Sequence, residues 1–227
     1  MRKVLIFGLG SIGSRHARNL GKIAPDAQII VADPAVEHDT YAWYADWQVA
    51  LSEHQDADAA IISSPTDCHL EQAMALRSLW IPFYIEKPIG MLDQVAKFAR
   101  LNVERCAVDF QYRFHPVYCE AASIIRRNKH VHFIANDDLI DRYGPDCLNV
   151  IAAHPIDTAL WLLGPMIDIN METNGWSVSG IIHHERGESI HDYRIDIGPR
   201  RSTVTSGSTW SLDACNEMYL DALRAWL

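Results

Sequence analysis

The sequence predicts an α/β fold, a doubly wound parallel sheet with a second, smaller α+β domain, and three observations predict it. The chain opens with a short apolar run, Arg2-Lys3-Val4-Leu5-Ile6-Phe7, that passes through Gly8, Gly10 and Gly13 into a segment of helical spacing, Ile12, Ala17 and Leu20. As far as about residue 110, strand-length apolar runs alternate with helical patterns, the rhythm of a parallel sheet with helices on both faces. Beyond that point period-two stretches follow one another with no helix between them, which reads as an antiparallel or mixed sheet.

The elements follow in order. The second run, Gln28–Ala32, ends at Asp33. The third, Asp58–Ser63, leads into Ser64-Pro65-Thr66-Asp67 as a loop and helix start. A helix over 67–80 then turns Leu70, Ala73, Met74, Ala75 and Leu76 toward the sheet. Pro82–Ile85 is a strand closed by Glu86-Lys87-Pro88. A helix near 91–101 and a strand at Arg105–Phe110 complete a first domain over residues 1–110. The second domain, 111–227, begins with a helix near 116–128 and the run Val131–Ala135. A helical block reaches Leu163 and stops at Gly164-Pro165, a common helix exit. Ile167–Met171, Trp176–His183, Ser189–Ile197 and a stretch near 203–210 give three or four strands. A last helix, about 213–226, places Met218, Leu220, Leu223 and Trp226 on or near one face.

Bulk properties narrow the function. The 227 residues, 48% hydrophobic and 22% charged, have the composition of a globular protein with room for two modest cores. A net charge of −9 argues against nucleic acid and anionic membranes, which reward clustered Lys and Arg. No apolar stretch has the length of a membrane span, and the first strand lacks the cleavage site of a signal peptide. The five cysteines are scattered and odd in number, with no C-x-x-C, which fits reduced thiols and a cytoplasmic location.

The glycines carry the first chemistry. In a strand–turn–helix, Gly8 permits the tight turn, Gly10 lets the backbone approach a diphosphate, and Gly13 lets the helix pack close to the sheet. The N–H groups at the helix start, around Ser11 and Ile12, then face two phosphates, favoured by the helix dipole. Asp33, twenty residues beyond Gly13, stands where an acid accepts hydrogen bonds from an adenosine ribose. The plainer reading is an ordinary βα turn with Asp33 as a loop residue, but strand, glycines and acid together favour a dinucleotide. With no Arg directly after it, Asp33 favours NAD and leaves NADP open.

Other residues have competing readings. Lys87, at the tip of a parallel strand, suits acid–base chemistry, or is a solvated lysine paired with Glu86. In His154-Pro155-Ile156-Asp157 the proline predicts a first helical turn, with His154 as the cap and Asp157 able to orient it; the alternative is a purely structural cap. Arg113 suits an anionic or hydroxylated substrate, whereas Arg126 and Arg127 read as an exposed helix face. His183, His184, Glu185 and His191 read as solvent-facing strand residues rather than metal ligands, because neighbouring strand residues alternate faces. The seven tryptophans read as core or interface residues.

Taken together, Gly8-Leu9-Gly10-Ser11-Ile12-Gly13 with His16, Ser64-Pro65-Thr66 with His69, Glu86-Lys87-Pro88, Phe110-Gln111-Tyr112-Arg113-Phe114 and His154-x-x-Asp157 resemble, in content and order, the Gfo/Idh/MocA oxidoreductases. That resemblance implies an N-terminal Rossmann domain and a C-terminal domain whose open sheet supports homo-oligomers. It implies hydride transfer between NAD and a small-molecule substrate, a sugar, cyclitol or related carbonyl compound. Lys87 would be the active-site lysine and His154 the proton-exchanging histidine, with Asp157 beside it. Ser64, Pro65, Thr66, His69 and Glu86 would border the cofactor, and Arg113 and Asn149 the substrate. Two departures stand out. Val150 occupies the place of an acid that many members carry four residues before the histidine, and the chain is shorter than typical members. A protein that binds NAD(P) without turnover, and a reductase for a non-sugar carbonyl or imine, are the rival readings.

Overall fold

The computed structural model describes residues 2–91, 93–101, 104–137, 147–174, 177–195, 201–211 and 216–227. The chain divides into two compact units, one of residues 1–109 with 219–227 and one of residues 110–218. The end of the last helix is thus grouped with the first unit, where the sequence pattern places it in the second.

In the first unit, β1 (Lys3–Phe7), α1 (Ser11–Ile23), β2 (Gln28–Ala32), β3 (Ala42–Tyr44), α2 (Trp47–Glu53), β4 (Ala59–Ile62), α3 (His69–Ser78), β5 (Phe83–Ile85), α4 (Val95–Phe98) and β6 (Ala107–Val108) follow in sequence. The six strands form one parallel sheet in the order β3-β2-β1-β4-β5-β6. Leu5, Phe7, Ile30, Ile62, Leu76 and Phe83 are buried in one core, each contributing roughly 1.5–3 kcal/mol by leaving water. Sequence periodicity misses β3, an exposed to half-buried edge strand, and α2, whose start is set by Asp46 accepting a hydrogen bond from Gln48 N–H at 2.7 Å. It overextends α4, a single turn.

Register is what matters for the site. The ladder sets Phe7 beside Ala32 and Ile62, Ile62 beside Ile85, and Ile85 beside Val108. The next residues, Gly8, Asp33, Ser63, Glu86 and Asp109, therefore stand level along the carboxyl edge of the sheet, the edge at which such folds bind ligands.

The second unit contains α5 (Pro116–Asn128), β7 (His130–Asp137), α6 (Cys147–Leu163), β8 (Met166–Thr173), β9 (Ser177–His184), β10 (Gly187–Ile195), β11 (Arg201–Ser206) and β12 (Ser208–Ser211), and α7 (Asn216–Trp226) closes the chain. The sheet has six strands, not three or four, in the order β12-β11-β7-β10-β9-β8. It is mixed: β7 pairs in parallel with β10 and antiparallel with β11. The run at 131–135 is thus an interior strand, with Val131, Phe133 and Ala135 buried beneath the helices. Trp176 and Ile197, at the limits of two expected strands, lie outside the described residues.

One expectation fails in an informative way. His184 and His191 do not face solvent; both are buried, and only His183 is exposed. They belong to a hydrogen-bonded row running from the Gly164 carbonyl to His184 Nδ1 (2.9 Å), from His184 Nε2 to Ser189 Oγ (2.8 Å), from Ser189 Oγ to His191 Nε2 (2.7 Å), and from His191 Nδ1 to the Tyr193 hydroxyl. The carbonyl can only accept, so His184 donates to it through Nδ1. A row without charge then has one arrangement: Ser189 donates to His184, His191 donates to Ser189 through Nε2, and Tyr193 donates to His191. Burial pushes the His191 pKa down to about 4.

Because the folded pKa of His191 lies below the ordinary 6.5, its contribution is complete above pH 6.5 and is lost as pH falls toward 4. The loss is on the order of 3 kcal/mol. Amide protection factors in β9 and β10, taken against the intrinsic exchange rate at each pH, are expected to fall across that window, and replacement of Ser189 by Ala to lower them already at pH 7.

Candidate active site

The glycine turn is built by contacts that exclude a side chain. Gly8 has φ +89°, and a Cβ there would lie 2.5 Å from Ser64 N. A Cβ on Gly13 would lie 2.0 Å from the Gly8 carbonyl oxygen, so α1 packs against the β1 turn only because residue 13 lacks one. Gly10 differs: an added Cβ would meet nothing within 4 Å. It is the N-cap of α1, with no side-chain cap and no acid in the first turn. The N-terminal N–H groups of α1, from Ser11 and Ile12 to the buried Gly13, thus adjoin open space, which fits a dinucleotide diphosphate.

Asp33 holds this turn as well as bordering it. Its Oδ2 accepts from Leu9 N–H at 2.6 Å, and its Oδ1 from Ala35 and Val36 N–H at 2.8 and 2.9 Å. Of roughly four acceptor positions on a carboxylate, three are occupied by backbone, which leaves one on Oδ2 for a ribose hydroxyl.

The neighbouring strand ends are tied together. Ser63 donates to the Gly8 carbonyl at 2.9 Å, and Ser64 to Gln72 Oε1 at 2.6 Å. Pro65 is exposed and Thr66 half-buried at the start of a 3₁₀ turn, Thr66–Cys68. His69 is buried, its ring nitrogens 2.9 Å from the Ser64 carbonyl and 3.1 Å from the Pro88 carbonyl. It bridges the β4 and β5 loops, and burial holds its pKa below the ordinary value. Lys87 is half-buried directly after β5, ahead of a cis peptide to Pro88.

Glu86 turns inward. Its carboxyl lies 2.8 Å from His16 Nε2, and Asp109 Oδ2 is 3.5 Å from the same nitrogen. Tyr84 donates to Asp109 Oδ1 at 2.5 Å. Burial raises the pKa of Glu86 and, more strongly, of Asp109, and lowers that of His16. The His16–Glu86 contact is therefore a hydrogen bond from a neutral imidazole rather than an ion pair. At 2.8 Å the two atoms are also closer than ligands on a tetrahedral zinc ion, about 3.3 Å for bonds of about 2.0 Å. Tyr84 and Asp109 escape a reading by motif, and His16, which accompanies the glycine motif three residues beyond Gly13, gives no sign in the sequence of its buried acid partners.

In the second unit α6 runs unbroken through Pro155, so His154 is interior to the helix and not its cap. No helix terminus acts on its ring. Instead Tyr112, from the 3₁₀ turn Gln111–Phe114, stacks on His154 at 4.2 Å between centroids with 10° between planes, and Phe110 meets it edge-on at 6.4 Å. Asp157 lies one turn along α6 from His154. It accepts both bonds of a fork from Arg113, Nε to Oδ2 at 2.8 Å and Nη2 to Oδ1 at 2.5 Å. Burial raises the pKa of Asp157 although Arg113 pulls it down. The fork fastens the turn bearing Tyr112 to the helix bearing His154. The side chains of Asn149 and Val150 lie outside the described residues.

Replacing Asp157 by Asn is expected to cost about 2 kcal/mol in urea unfolding, since a charged, two-bond contact loses one partner. Replacing Arg113 by Lys should lose a similar amount, because an ammonium cannot make two parallel bonds.

Comparison with known proteins bears on both units. The family model described as an oxidoreductase family with an NAD-binding Rossmann fold matches residues 2–110. A scyllo-inositol 2-dehydrogenase (NAD+) of Bacillus subtilis is 31% identical over 129 residues, covering 51% of this chain and 37% of that protein. An inositol 2-dehydrogenase of Streptomyces avermitilis is 26% identical over 185 residues, 71% of this chain and 53% of that one. The chain thus spans about half or less of these curated relatives. Among solved structures, the WlbA (WbpB) dehydrogenase of Thermus thermophilus, crystallised with NAD and α-ketoglutarate, superposes with a TM-score of 0.83 at 16% identity, covering 99% of this chain and 87% of that one. A myo-inositol dehydrogenase of Corynebacterium glutamicum gives 0.77 at 17%, covering 99% and 86%. At these identities the structures speak to the fold. With the glycine turn, Asp33 and Glu86-Lys87-Pro88 in place along one sheet edge, residues 2–110 match the model of the oxidoreductase family with an NAD-binding Rossmann fold.

Proposed function

We propose that this protein is an NAD-dependent dehydrogenase that exchanges a hydride with a hydroxyl-bearing carbon of a sugar or cyclitol. The observation that carries the reading is the level edge of the first sheet. There an uncapped helix start with open space at Gly10, the acid Asp33 and the strand end bearing Lys87 share one row. NAD, when bound, supplies the hydride acceptor. The α1 N–H groups at Ser11, Ile12 and Gly13 would hold its diphosphate, and Oδ2 of Asp33 would accept from one ribose hydroxyl. Lys87 or His154 takes the hydroxyl proton, and Lys87 steadies the developing alkoxide. The Arg113 fork and the Tyr112 stack hold His154 for that task. The inositol dehydrogenases among the relatives support a cyclitol or sugar.

Val150 favours a second reading, a protein that binds NAD without turnover, because a carboxylate expected near His154 is absent. Saturable NAD binding with no turnover of inositols or sugars would select it.

Two features bear on setting. Among the described residues no helix is long and apolar enough to cross a membrane, and Cys68, Cys106 and Cys119 are free thiols, which fits a cytoplasmic enzyme. The face of the second sheet that shows Ile134, Ile181 and Ile190 alongside His132 and Asp192 suits contact with a second copy of the chain.

Gly10→Ala has room for its methyl and an ordinary φ of −62°. Its melting temperature is expected within about 2 °C of the parent, while NAD affinity, read by fluorescence titration, falls roughly tenfold or more. Lys87→Ala is expected to lower kcat by about a hundredfold or more with NAD affinity changed only a few-fold; undiminished turnover would remove Lys87 from the chemistry.

A further inference from the structure

Directly behind Lys87 lies a cluster that the proposed chemistry leaves unused. His16 and Asp109 are 0% exposed and Glu86 is 7% exposed. His16 Nε2 reaches Glu86 Oε1 at 2.8 Å, Tyr84 donates to Asp109 Oδ1 at 2.5 Å, and Lys87 N–H points to Glu86 Oε2 at 3.3 Å. One carboxylate oxygen each of Glu86 and Asp109 and a ring nitrogen of His16 all lie within 4.8 Å of one another. The charged and titratable groups facing this cluster are Arg15 and His16 on α1, Tyr84 and Lys87 at β5, and Tyr219, over whose ring Arg15 is stacked at 4.4 Å.

Two ionised carboxylates so close in a dry setting repel strongly, so one of them holds a proton. Tyr84 already donates to Oδ1 of Asp109, so the proton belongs on Oδ2. Glu86 then keeps the charge and accepts from His16 and from the Lys87 backbone. We propose that Asp109 is a neutral carboxylic acid at neutral pH beside ionised Glu86, and that the pair holds one negative charge next to Lys87, as positioning residues that favour its ammonium form. The upward displacement of both acids by burial, larger at Asp109, agrees with this placement of the proton. So does the pull of Lys87 on Glu86 in the opposite direction.

The kinetic half of this inference rests on Lys87 acting as acid and base in turnover; the protonation half does not. Infrared or carboxyl-carbon NMR spectra of the whole chain without cofactor should show a protonated carboxyl at pH 7 that vanishes in Asp109→Asn. Its absence from the parent protein overturns the proposal whatever the activity. In pH–rate profiles Glu86→Gln should move the acid limb down by about one pH unit. Asp109→Asn, which is as neutral as the protonated acid it replaces, should leave the limb in place. An unmoved limb in Glu86→Gln, or equal shifts in both variants, overturns the positioning role. If the chain turns nothing over, the dehydrogenase reading fails, and the carboxyl signal alone decides where the proton lies.

Discussion

The first unit depends on one close approach. Gly13 comes so near the Gly8 carbonyl, and Gly8 so near the backbone of Ser64, that neither position has room for a Cβ. Those contacts draw the ends of β1 and β4 and the start of α1 into one knot, and Ser63 closes it by donating to the Gly8 carbonyl. Parallel pairing then carries the level outward to Asp33 on one side and to Glu86 and Asp109 on the other. A candidate site assembled from five strand ends thus inherits its geometry from the absence of two side chains.

What the sequence makes legible follows from this. Gly8, Gly10, Gly13 and Asp33 announce themselves because a turn without Cβ atoms leaves a spacing in the chain. Apolar runs such as Val4–Phe7 are strands because both faces of a parallel sheet are covered. The second unit is harder. Its β7 alternates as a strand should, but nothing local tells that it pairs in parallel with β10, some sixty residues away, so the sheet is larger than its consecutive hairpins suggest. Pro155 looks like a helix start because proline prefers first turns, yet α6 begins well before it. His184 and His191 read as solvent-facing because burial of histidine is legible only once its partners are known.

Those histidines and the cluster around Glu86 treat buried polarity differently. In the second unit every group from Tyr193 to the Gly164 carbonyl has a partner in one row, which a chain of single donations can satisfy without net charge. In the first unit two acids meet with too few donors to satisfy both as anions, so a charge persists in the interior. That charge lies one residue from the lysine of the Glu86-Lys87-Pro88 motif, whereas the neutral row joins the exit of α6 to β9 and β10.

The three backbone hydrogen bonds on Asp33 bear on redesign. Converting an NAD enzyme to its phosphorylated cousin is commonly imagined as exchanging one acid for a smaller or basic residue. Here that exchange would also release the Leu9, Ala35 and Val36 N–H groups from the carboxylate that holds them. An altered coenzyme preference would therefore have to come with a rebuilt loop, or the pocket meant for the new phosphate would lose its wall.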